Sequence, residues 1–268
     1  MEHRARKRFG QNFLRDQNVI DRIVRAIRPQ QGESLLEIGP GQGALTQALL
    51  ATACELFALE LDRDLVAILM QKFGDHPHFH LQQGDALKFD IGDLYETIAP
   101  TKLVPIKKIR VVGNLPYNIS TPLIFHLLQQ SQSIVDMHFM LQKEVVERLA
   151  ASPGGGDYGR LSVMVQYHCE AIALFDVPPH AFYPPPQVVS GVVRLIPYQT
   201  IPHLAKNYAH FASIVKEAFS HRRKTLRNSL KELVTDEDWK LLDVDSQQRP
   251  EQLAVADYVK ISNILMEK

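Results

Sequence analysis

Residues 35–43 read Leu-Leu-Glu-Ile-Gly-Pro-Gly-Gln-Gly, an apolar run that passes directly into a glycine-rich turn. A helical pattern of apolar residues begins at residue 44. Glycines let the backbone approach a ligand closely and adopt positive φ angles, and a following helix offers free N–H groups. The stretch predicts the first strand, turn and helix of a nucleotide-type α/β fold, although a dinucleotide site or a purely structural turn would have the same pattern.

Outward from this turn, short apolar runs alternate with helical patterns from about residue 34 to residue 196. This alternation is typical of βαβ units around a mostly parallel sheet, so we predict a Rossmann-like α/β fold. The seven predicted strands are Ser34–Ile38, Leu56–Glu60, Phe79–Gln82, Arg110–Gly113, Asp136–Leu141, Ile172–Val177 and Val188–Leu195. Helices are predicted between them at Ala44–Leu50, Arg63–Lys72, Pro122–Gln129, Lys143–Ala150 and Leu161–His168.

The strand pattern stops after Pro197, and only helical patterns follow. We therefore predict a large domain over residues 1–200, in which 1–33 form an N-terminal segment and helix, and a small all-helical domain over 201–268. The helices of the second domain are predicted at about 206–220, 223–234, 236–243 and 254–266.

Composition indicates a globular protein without a metal or membrane segment. The 268 residues are 45% hydrophobic, and 30 basic residues balance 30 acidic ones, so any nucleic-acid binding must come from local clusters. Two distant cysteines, Cys54 and Cys169, predict buried thiols in the reducing cytoplasm rather than a zinc site. Neither a signal peptide nor a membrane span is expected, because no apolar stretch is long enough. His76, His78 and His80 alternate, but no further ligand completes a metal site.

Acidic residues follow the next two predicted strands. Glu60 lies about 20 residues after the glycine turn, where an acidic side chain typically binds both ribose hydroxyls. Asp85 follows the third strand and could accept a hydrogen bond from an adenine amine, or simply form a Gly-Asp turn. Asp62 is better interpreted as the N-cap of the helix from Arg63. The series Gly39, Glu60 and Asp85 favours S-adenosylmethionine over a nicotinamide cofactor.

The fourth strand leads into Asn114-Leu115-Pro116-Tyr117, which suits methylation of a planar amino group. The lone pair of such an amine is delocalised, and two acceptors, the Asn114 side-chain oxygen and the Leu115 carbonyl, can aim it at a methyl donor. Pro116 keeps Leu115 out of helical geometry, and Tyr117 offers a face on which a displaced base can stack. An ordinary turn is the alternative.

A second aromatic candidate is Phe182, which precedes Tyr183 and three consecutive prolines. Phe182 could cover the opposite face of the base, with the prolines stiffening the loop, or the segment could be a plain polyproline connector.

Two basic clusters could contact phosphates. Arg223, Arg227 and Lys231 lie four residues apart and would share one face of the predicted helix 223–234, flanked by Arg222 and Lys224. A solvated helix face is the alternative. The second cluster, near the N-terminus, comprises Arg4, Arg6, Lys7 and Arg8.

Together these motifs closely resemble the ribosomal RNA adenine dimethyltransferases, and among them the bacterial small-subunit (16S) type. The resemblance covers nearly the whole chain. Its segments are Lys7–Leu14, Gly113–Ser120, Gln142–Val145, Tyr158–Ser162, Phe182–Ser190 and Arg222–Leu230. The stretch Thr97–Lys108 departs from it by being longer than the family pattern requires.

The resemblance implies a seven-stranded S-adenosylmethionine-dependent methyltransferase sheet, with Asn12 and Leu14 joining Gly39, Gly41, Glu60, Asp85 and Asn114 around the cofactor. It also implies a cytoplasmic, monomeric enzyme that dimethylates N6 of two adjacent adenosines near the 3′ end of 16S rRNA in an immature small subunit. Three alternatives remain: the related large-subunit methyltransferase, a non-catalytic RNA-binding factor and a nicotinamide-dependent oxidoreductase.

Overall fold

The predicted strands form one seven-stranded sheet in the computed structural model, which describes residues 11–97, 108–221 and 223–267. Two short strands that the sequence pattern did not predict pair as a separate ribbon. The strands are β1 (Phe13–Leu14), β2 (Ser34–Ile38), β3 (Glu55–Glu60), β4 (Phe79–Gln83), β5 (Ile109–Asn114), β6 (Ile134–Gln142), β7 (Cys169–Val177), β8 (Phe182–Tyr183) and β9 (Ser190–Pro197). The sheet order is β4-β3-β2-β5-β6-β9-β7, and the ribbon is β1-β8.

Several helices begin at residues whose side chains cap them. Asp16, for example, accepts hydrogen bonds from two backbone N–H groups of the first helix. The helices are α1 (Gln17–Ile27), α2 (Ala44–Leu50), α3 (Arg63–Phe73), α4 (Ile91–Thr97), α5 (Ser120–Gln129), α6 (Lys143–Ala150), α7 (Arg160–Gln166), α8 (Tyr208–Ala218), α9 (Leu226–Ser229), α10 (Asp236–Leu241) and α11 (Val255–Leu265). Within the described ranges, no helix has both the length and the apolar character needed to cross a membrane.

Strand direction determines where a ligand can bind. The strands β2, β3, β4, β5 and β6 run parallel, and β9 runs antiparallel to β6. The carboxyl ends of the parallel strands therefore meet at one edge of the sheet, the edge at which open α/β sheets bind ligands. Helices α1 and α2 cover one face through a core that includes Ile23, Leu35, Leu49 and Val112.

Contacts between residues divide the chain into two compact units. The first comprises Met1–Val146 and Ile172–Pro197, and the second comprises Glu147–Ala171 and Tyr198–Lys268. Residues 147–171 thus pack with the C-terminal helices, whereas the sequence pattern assigned them to the large domain. This segment contains a glycine-rich loop, residues 152–157. The Gly154 N–H of the loop donates a 2.7 Å hydrogen bond to the Glu251 carbonyl.

The helix predicted over residues 223–234 is wrong in extent, because the structure contains only α9 there. The Thr225 hydroxyl caps α9 by accepting the Asn228 N–H. The N–H groups of Leu226 and Arg227 donate to the carbonyls of Gln248 and Ser246, so residues before Thr225 do not extend the helix. The other three C-terminal helices lie within their predicted ranges.

Candidate active site

A cavity of about 250 Å³ opens at the carboxyl ends of β2, β3 and β5, within the first unit. Its wall contains every residue predicted to bind the cofactor and all four residues of the tetrapeptide Asn114–Tyr117. These residues are Asn12, Leu14, Gly39, Gly41, Glu60, Asp85, Asn114, Leu115, Pro116 and Tyr117. The parallel order of the strands brings together Gly39, Glu60 and Asn114. Asn12 and Leu14 reach the cavity from the N-terminal segment, through the hydrogen bond to Asn114 and the β1-β8 ribbon.

The glycine turn forms the floor of this cavity, and its backbone explains its composition. Gly41 has φ +59°, and a Cβ there would lie 3.0 Å from Cδ1 of Phe13. Gly43 has φ +83°, and its Cβ would lie 2.5 Å from Cε2 of Phe73. A larger residue would combine an unfavourable φ with a tight contact at Gly41 and with a steric clash at Gly43, so the turn favours glycine at both positions.

Glu60 is held at the end of β3 by backbone donors. Its Oε2 accepts the Gly41 N–H at 3.2 Å and its Oε1 accepts the Asp62 N–H at 2.9 Å. Burial raises the pKa of Glu60, against these backbone hydrogen bonds. The side chain of Asp62 caps α3 by accepting the Asp64 N–H, which confirms the predicted N-cap. Asp85 accepts the Leu87 N–H at 3.0 Å and lines the cavity.

Asn114 connects the end of β5 to the N-terminal segment. Its Nδ2 donates to the Asn12 carbonyl at 2.9 Å. Because the amide nitrogen is engaged there, the side-chain oxygen Oδ1 is turned away from Asn12 and keeps its acceptor capacity. The contact also gives a structural reason for Asn12 to lie beside the cavity.

The rest of the tetrapeptide is fixed by hydrogen bonds at both ends. The Leu115 N–H donates to the Met140 carbonyl at 3.2 Å, which anchors the turn to β6. The Tyr117 hydroxyl is 2.8 Å from the Ser190 Oγ at the start of β9, and burial raises the pKa of Tyr117. The Ser120 hydroxyl donates to the Tyr117 carbonyl at 3.0 Å. The ring of Tyr117 is therefore positioned before any substrate binds.

Phe182 is not among the residues that line the cavity, although it packs in the same core cluster as Leu14 and Met140, which do. Its predicted position opposite Tyr117 stays a prediction. In the β1-β8 ribbon, Leu14 pairs with Phe182 and Phe13 with Tyr183. Neighbouring residues of a strand point to opposite faces, and Phe182 points into the core, where it is 4% exposed. Tyr183 points outward and is 57% exposed.

Two buried polar residues of the cavity wall escaped the sequence interpretation. Glu37 lies within β2, where its carboxylate accepts the Thr46 hydroxyl at 2.6 Å, and burial raises its pKa to about 7. His138 in β6 has no hydrogen-bond partner for either ring nitrogen among the described residues, and burial lowers its pKa to about 4. A charged or titratable residue inside an apolar strand is the signal that could have identified both.

The single helix face predicted to carry the basic residues of the second unit is not formed, while their phosphate contacts stay a prediction. Only Arg227 lies in α9, because Arg223 and Lys224 precede the helix and Lys231 follows it. Arg227 pairs with Asp236 and Lys231 with Glu232. Arg222 and the basic cluster of residues 4–8 lie outside the described residues, as do residues 98–107 of the long stretch before β5.

Two of the three alternating histidines contact one carboxylate. His78 Nδ1 and His80 Nε2 lie 2.9 Å and 3.2 Å from the two oxygens of Glu55. Across residues 11–97, 108–221 and 223–267, no group of three His, Cys, Asp or Glu side chains is arranged to hold a metal ion.

Known proteins resemble this chain over its whole length. The family model described as ribosomal RNA adenine dimethylase matches residues 2–267. The ribosomal RNA small subunit methyltransferase A of Pseudomonas savastanoi pv. phaseolicola is 58% identical over 267 residues, covering 100% of this chain and 97% of its own. The protein of the same name from Chromohalobacter salexigens is 56% identical over 265 residues, covering 99% and 93%.

Solved structures support the fold. A dimethyladenosine transferase from Plasmodium falciparum has a TM-score of 0.74 at 24% identity, with 93% of this chain and 95% of that one covered. The 23S rRNA methyltransferase ErmE has a TM-score of 0.72 at 24% identity, with 95% and 100% covered. The family model and the full-length relatives confirm the resemblance inferred from the motifs: the chain belongs to the ribosomal RNA adenine dimethylase family.

Proposed function

We propose that this protein uses S-adenosylmethionine to dimethylate N6 of two adjacent adenosines near the 3′ end of 16S rRNA, within an immature small ribosomal subunit. The observation that carries the proposal is the position of Asn114–Tyr117 on the wall of the cavity that also contains the glycine turn and Glu60. The names of the small-subunit relatives support the choice of substrate. We further propose that it acts as a monomer, and that it acts in the cytoplasm, whose reducing conditions suit the buried free thiols Cys54 and Cys169.

The polar groups that line the cavity fit S-adenosylmethionine. The Glu60 carboxylate is 6% exposed at the end of β3 and retains lone pairs for the two ribose hydroxyls beyond the backbone bonds it accepts. Asp85, which lines the same cavity, would accept a hydrogen bond from the adenine amine, and the Gly39–Gly41 backbone would allow close approach. When bound, S-adenosylmethionine supplies the electrophilic methyl group.

Asn114 and Leu115 prepare the attacking nitrogen. The Asn114 Oδ1 and the Leu115 carbonyl each accept one hydrogen of the adenine amine, which moves the lone pair out of conjugation and aims it across the cavity. Pro116 prevents helical geometry at Leu115, and the hydrogen bond to Met140 holds that residue in place. The methylated nitrogen becomes acidic, so its proton can leave to water or to a carbonyl without a strong base.

Tyr117 holds the base while this happens. Adenine must leave its stack to enter an active site, and an aromatic face compensates for the lost stacking. The hydrogen bond between the Tyr117 hydroxyl and Ser190 fixes the ring, so little ordering entropy is lost on binding. Phe182 packs in the core cluster behind the cavity wall, and its role on the opposite face of the base stays part of the proposal.

Methylation of immature subunits tests the proposal. Purified protein and labelled S-adenosylmethionine are incubated separately with small and large subunits that lack these modifications, and the products are digested and separated. We expect N6-dimethyladenosine in the small subunit only. Activity confined to the large subunit would identify the large-subunit class, and cofactor binding without product on either subunit would identify a binding factor.

Glu60→Gln is expected to weaken S-adenosylmethionine binding roughly 10- to 100-fold, because hydrogen bonds to a charged acceptor contribute about 1.5–3 kcal/mol. Burial raises the pKa of Glu60, so its carboxylate is protonated earlier as the pH is lowered. Cofactor binding to the unmodified protein should therefore weaken at a higher pH than it would with a glutamate of ordinary pKa. Titration calorimetry measures both effects. Asp64→Asn, an exposed neighbour in the same segment, is the control, and equal affinities of the two variants would exclude the ribose contact.

Arg223→Ala is expected to weaken binding to immature small subunits and to reduce the slope of log K against log salt by about 1, the loss of one phosphate contact. Among the described residues, neither Arg223 nor Lys224 has an acidic partner, whereas Arg227 and Lys231 do. Lys216→Ala, another exposed basic residue of the second unit, is the control. An unchanged salt slope for Arg223→Ala would refute the contact.

A further inference from the structure

The loop that joins β8 to β9 is attached to the active site at both ends. At its start, Tyr183 pairs with Phe13, which lines the cavity and lies over Gly41. At its end, the Ser190 hydroxyl meets the Tyr117 hydroxyl at 2.8 Å. Paired residues of an antiparallel ribbon point to the same face, so the Tyr183 side chain continues outward from that of Phe13.

This loop exposes apolar surface beside the cavity. Tyr183 is 57% exposed, Val188 43% and Val189 38%. Scattered exposed apolar residues need no explanation, but three within seven residues, in a loop whose two ends contact cavity-lining residues, indicate a contact surface. Burial of the preceding Phe182 in the core fixes the direction in which Tyr183 points.

A cation lies over the exposed ring. The Arg15 guanidinium carbon is 4.3 Å from the centre of the Tyr183 ring. The Arg15 backbone is fixed as well, because its N–H donates to the Ala181 carbonyl at 2.8 Å. The pair is therefore positioned in advance, and it combines a flat aromatic surface with a positive charge. Single-stranded nucleic acids are bound through these two features together, by base stacking and by phosphate attraction.

We propose that the Arg15–Tyr183 pair binds the nucleotide next to the adenosine in the active site. The inference rests on the proposed function. When one of two adjacent adenosines enters the cavity, its neighbour loses its stacking partner and lies at the cavity edge. Stacking on Tyr183 replaces the lost contact, and Arg15 neutralises the adjoining phosphate. Because the pair lies on one side of the cavity, it favours one of the two adenosines as the first target.

Four variants test the assignment: Tyr183→Ala, Tyr183→Phe, Arg15→Ala and Arg22→Ala. Arg22 is a matched control, because its guanidinium carbon lies 3.9 Å from the ring centre of Phe175 but neither residue lines the cavity. Each full-length variant is assayed on immature small subunits, with mass spectrometry resolving the mono- and dimethylated forms of each adenosine. Affinity for S-adenosylmethionine and thermal unfolding are measured in parallel.

Tyr183→Ala is expected to lower kcat/KM for the subunit roughly tenfold, the loss of one base–aromatic stack. Cofactor affinity stays constant, the two adenosines are affected unequally, and Tyr183→Phe recovers most of the activity. Arg15→Ala follows Tyr183→Ala, whereas Arg22→Ala stays close to the unmodified protein. If the unmodified protein is active and Tyr183→Ala is equally active, the inference is overturned while the proposed function stands. Equal losses for Arg15→Ala and Arg22→Ala would have the same meaning. Absence of small-subunit activity in the unmodified protein would overturn the proposed function.

The chemical nature of the partner is tested separately. A photoreactive aromatic residue replaces Tyr183, and the complex with immature small subunits is irradiated and digested. We expect a cross-link to a nucleotide adjoining the target adenosines. A cross-link to a ribosomal protein in place of rRNA would contradict the assignment.

Discussion

Asn114→Ala is expected to lower kcat roughly 100- to 1000-fold, the effect of removing one preorganised hydrogen-bonding group that acts in the transition state. The variant lacks the Oδ1 acceptor that draws the amine out of conjugation, so the bound adenine keeps its delocalised lone pair. It also lacks the 2.9 Å hydrogen bond to the Asn12 carbonyl, which we expect to weaken cofactor binding to a smaller extent. Single-turnover methylation and equilibrium binding measure the two effects separately.

The separation of rate from affinity is the diagnostic part of this result. Asn18→Ala, at an exposed position in the first turn of α1, is the matched control and should behave as the unmodified protein. If Asn114→Ala lost cofactor affinity and rate by the same factor, Asn114 would be a cofactor ligand only. Thermal unfolding of both variants determines whether the fold is retained.

Asp136→Ala is expected to destabilise the protein by about 3–5 kcal/mol, because it breaks a buried ion pair and leaves a charge without its partner. Asp136 is 1% exposed in β6, and its two carboxylate oxygens accept hydrogen bonds of 2.8 Å and 2.9 Å from Arg110. Arg194 also donates to the same carboxylate at 2.8 Å and 3.0 Å. After substitution, Arg110 would keep only the part-buried Glu33 as an acidic partner among the described residues.

The hydrogen bonds to Asp136 also determine how the stability of the protein changes with pH. Burial alone would raise the pKa of Asp136, but the hydrogen bonds from Arg110 and nearby positive charges outweigh it and lower the pKa below the ordinary value. The Asp136 carboxylate therefore contributes fully to the free energy of unfolding above the ordinary aspartate pKa of about 3.9. This contribution is lost as the pH falls through the lowered pKa of Asp136.

Urea unfolding of Asp136→Ala and Asp176→Ala provides the comparison. Asp176 pairs with Lys143 on the surface, and exposed pairs contribute about 0–1 kcal/mol. Equal free energies of unfolding for the two variants would show that burial of the Asp136 network does not matter.

Much of the fold was predictable because its signals are local. The helices Ala44–Leu50 and Lys143–Ala150 and the strand Ser34–Ile38 have the bounds that the apolar pattern predicts. A short apolar run between turn residues indicates a buried strand from local sequence alone, and such runs are the main signal for a parallel sheet. The β1-β8 ribbon escaped prediction because two-residue strands have no periodicity.

The errors fall where partners distant in sequence decide the outcome. Four-residue spacing placed Arg223, Arg227 and Lys231 on one helix face, but residues 246–248 bind the first N–H groups of α9, and Thr225 caps it. Phe182 is as aromatic as Tyr183, and nothing in their local sequence separates the two. Pairing with β1 turns one into the core and the other outward.

Residue types alone predict the chemistry, because Gly39–Gly43, Glu60 and Asn114–Tyr117 suit a nucleotide turn and amine methylation. Which side chains reach the cavity depends on the three-dimensional arrangement of the chain. Strand order brings Glu60 and Asn114 to one edge of the sheet, a hydrogen bond from Asn114 holds Asn12 beside them, and Glu37 and His138 also lie in the wall. The physical reason is that reactivity belongs to functional groups, whereas access depends on packing, which is a property of the whole chain.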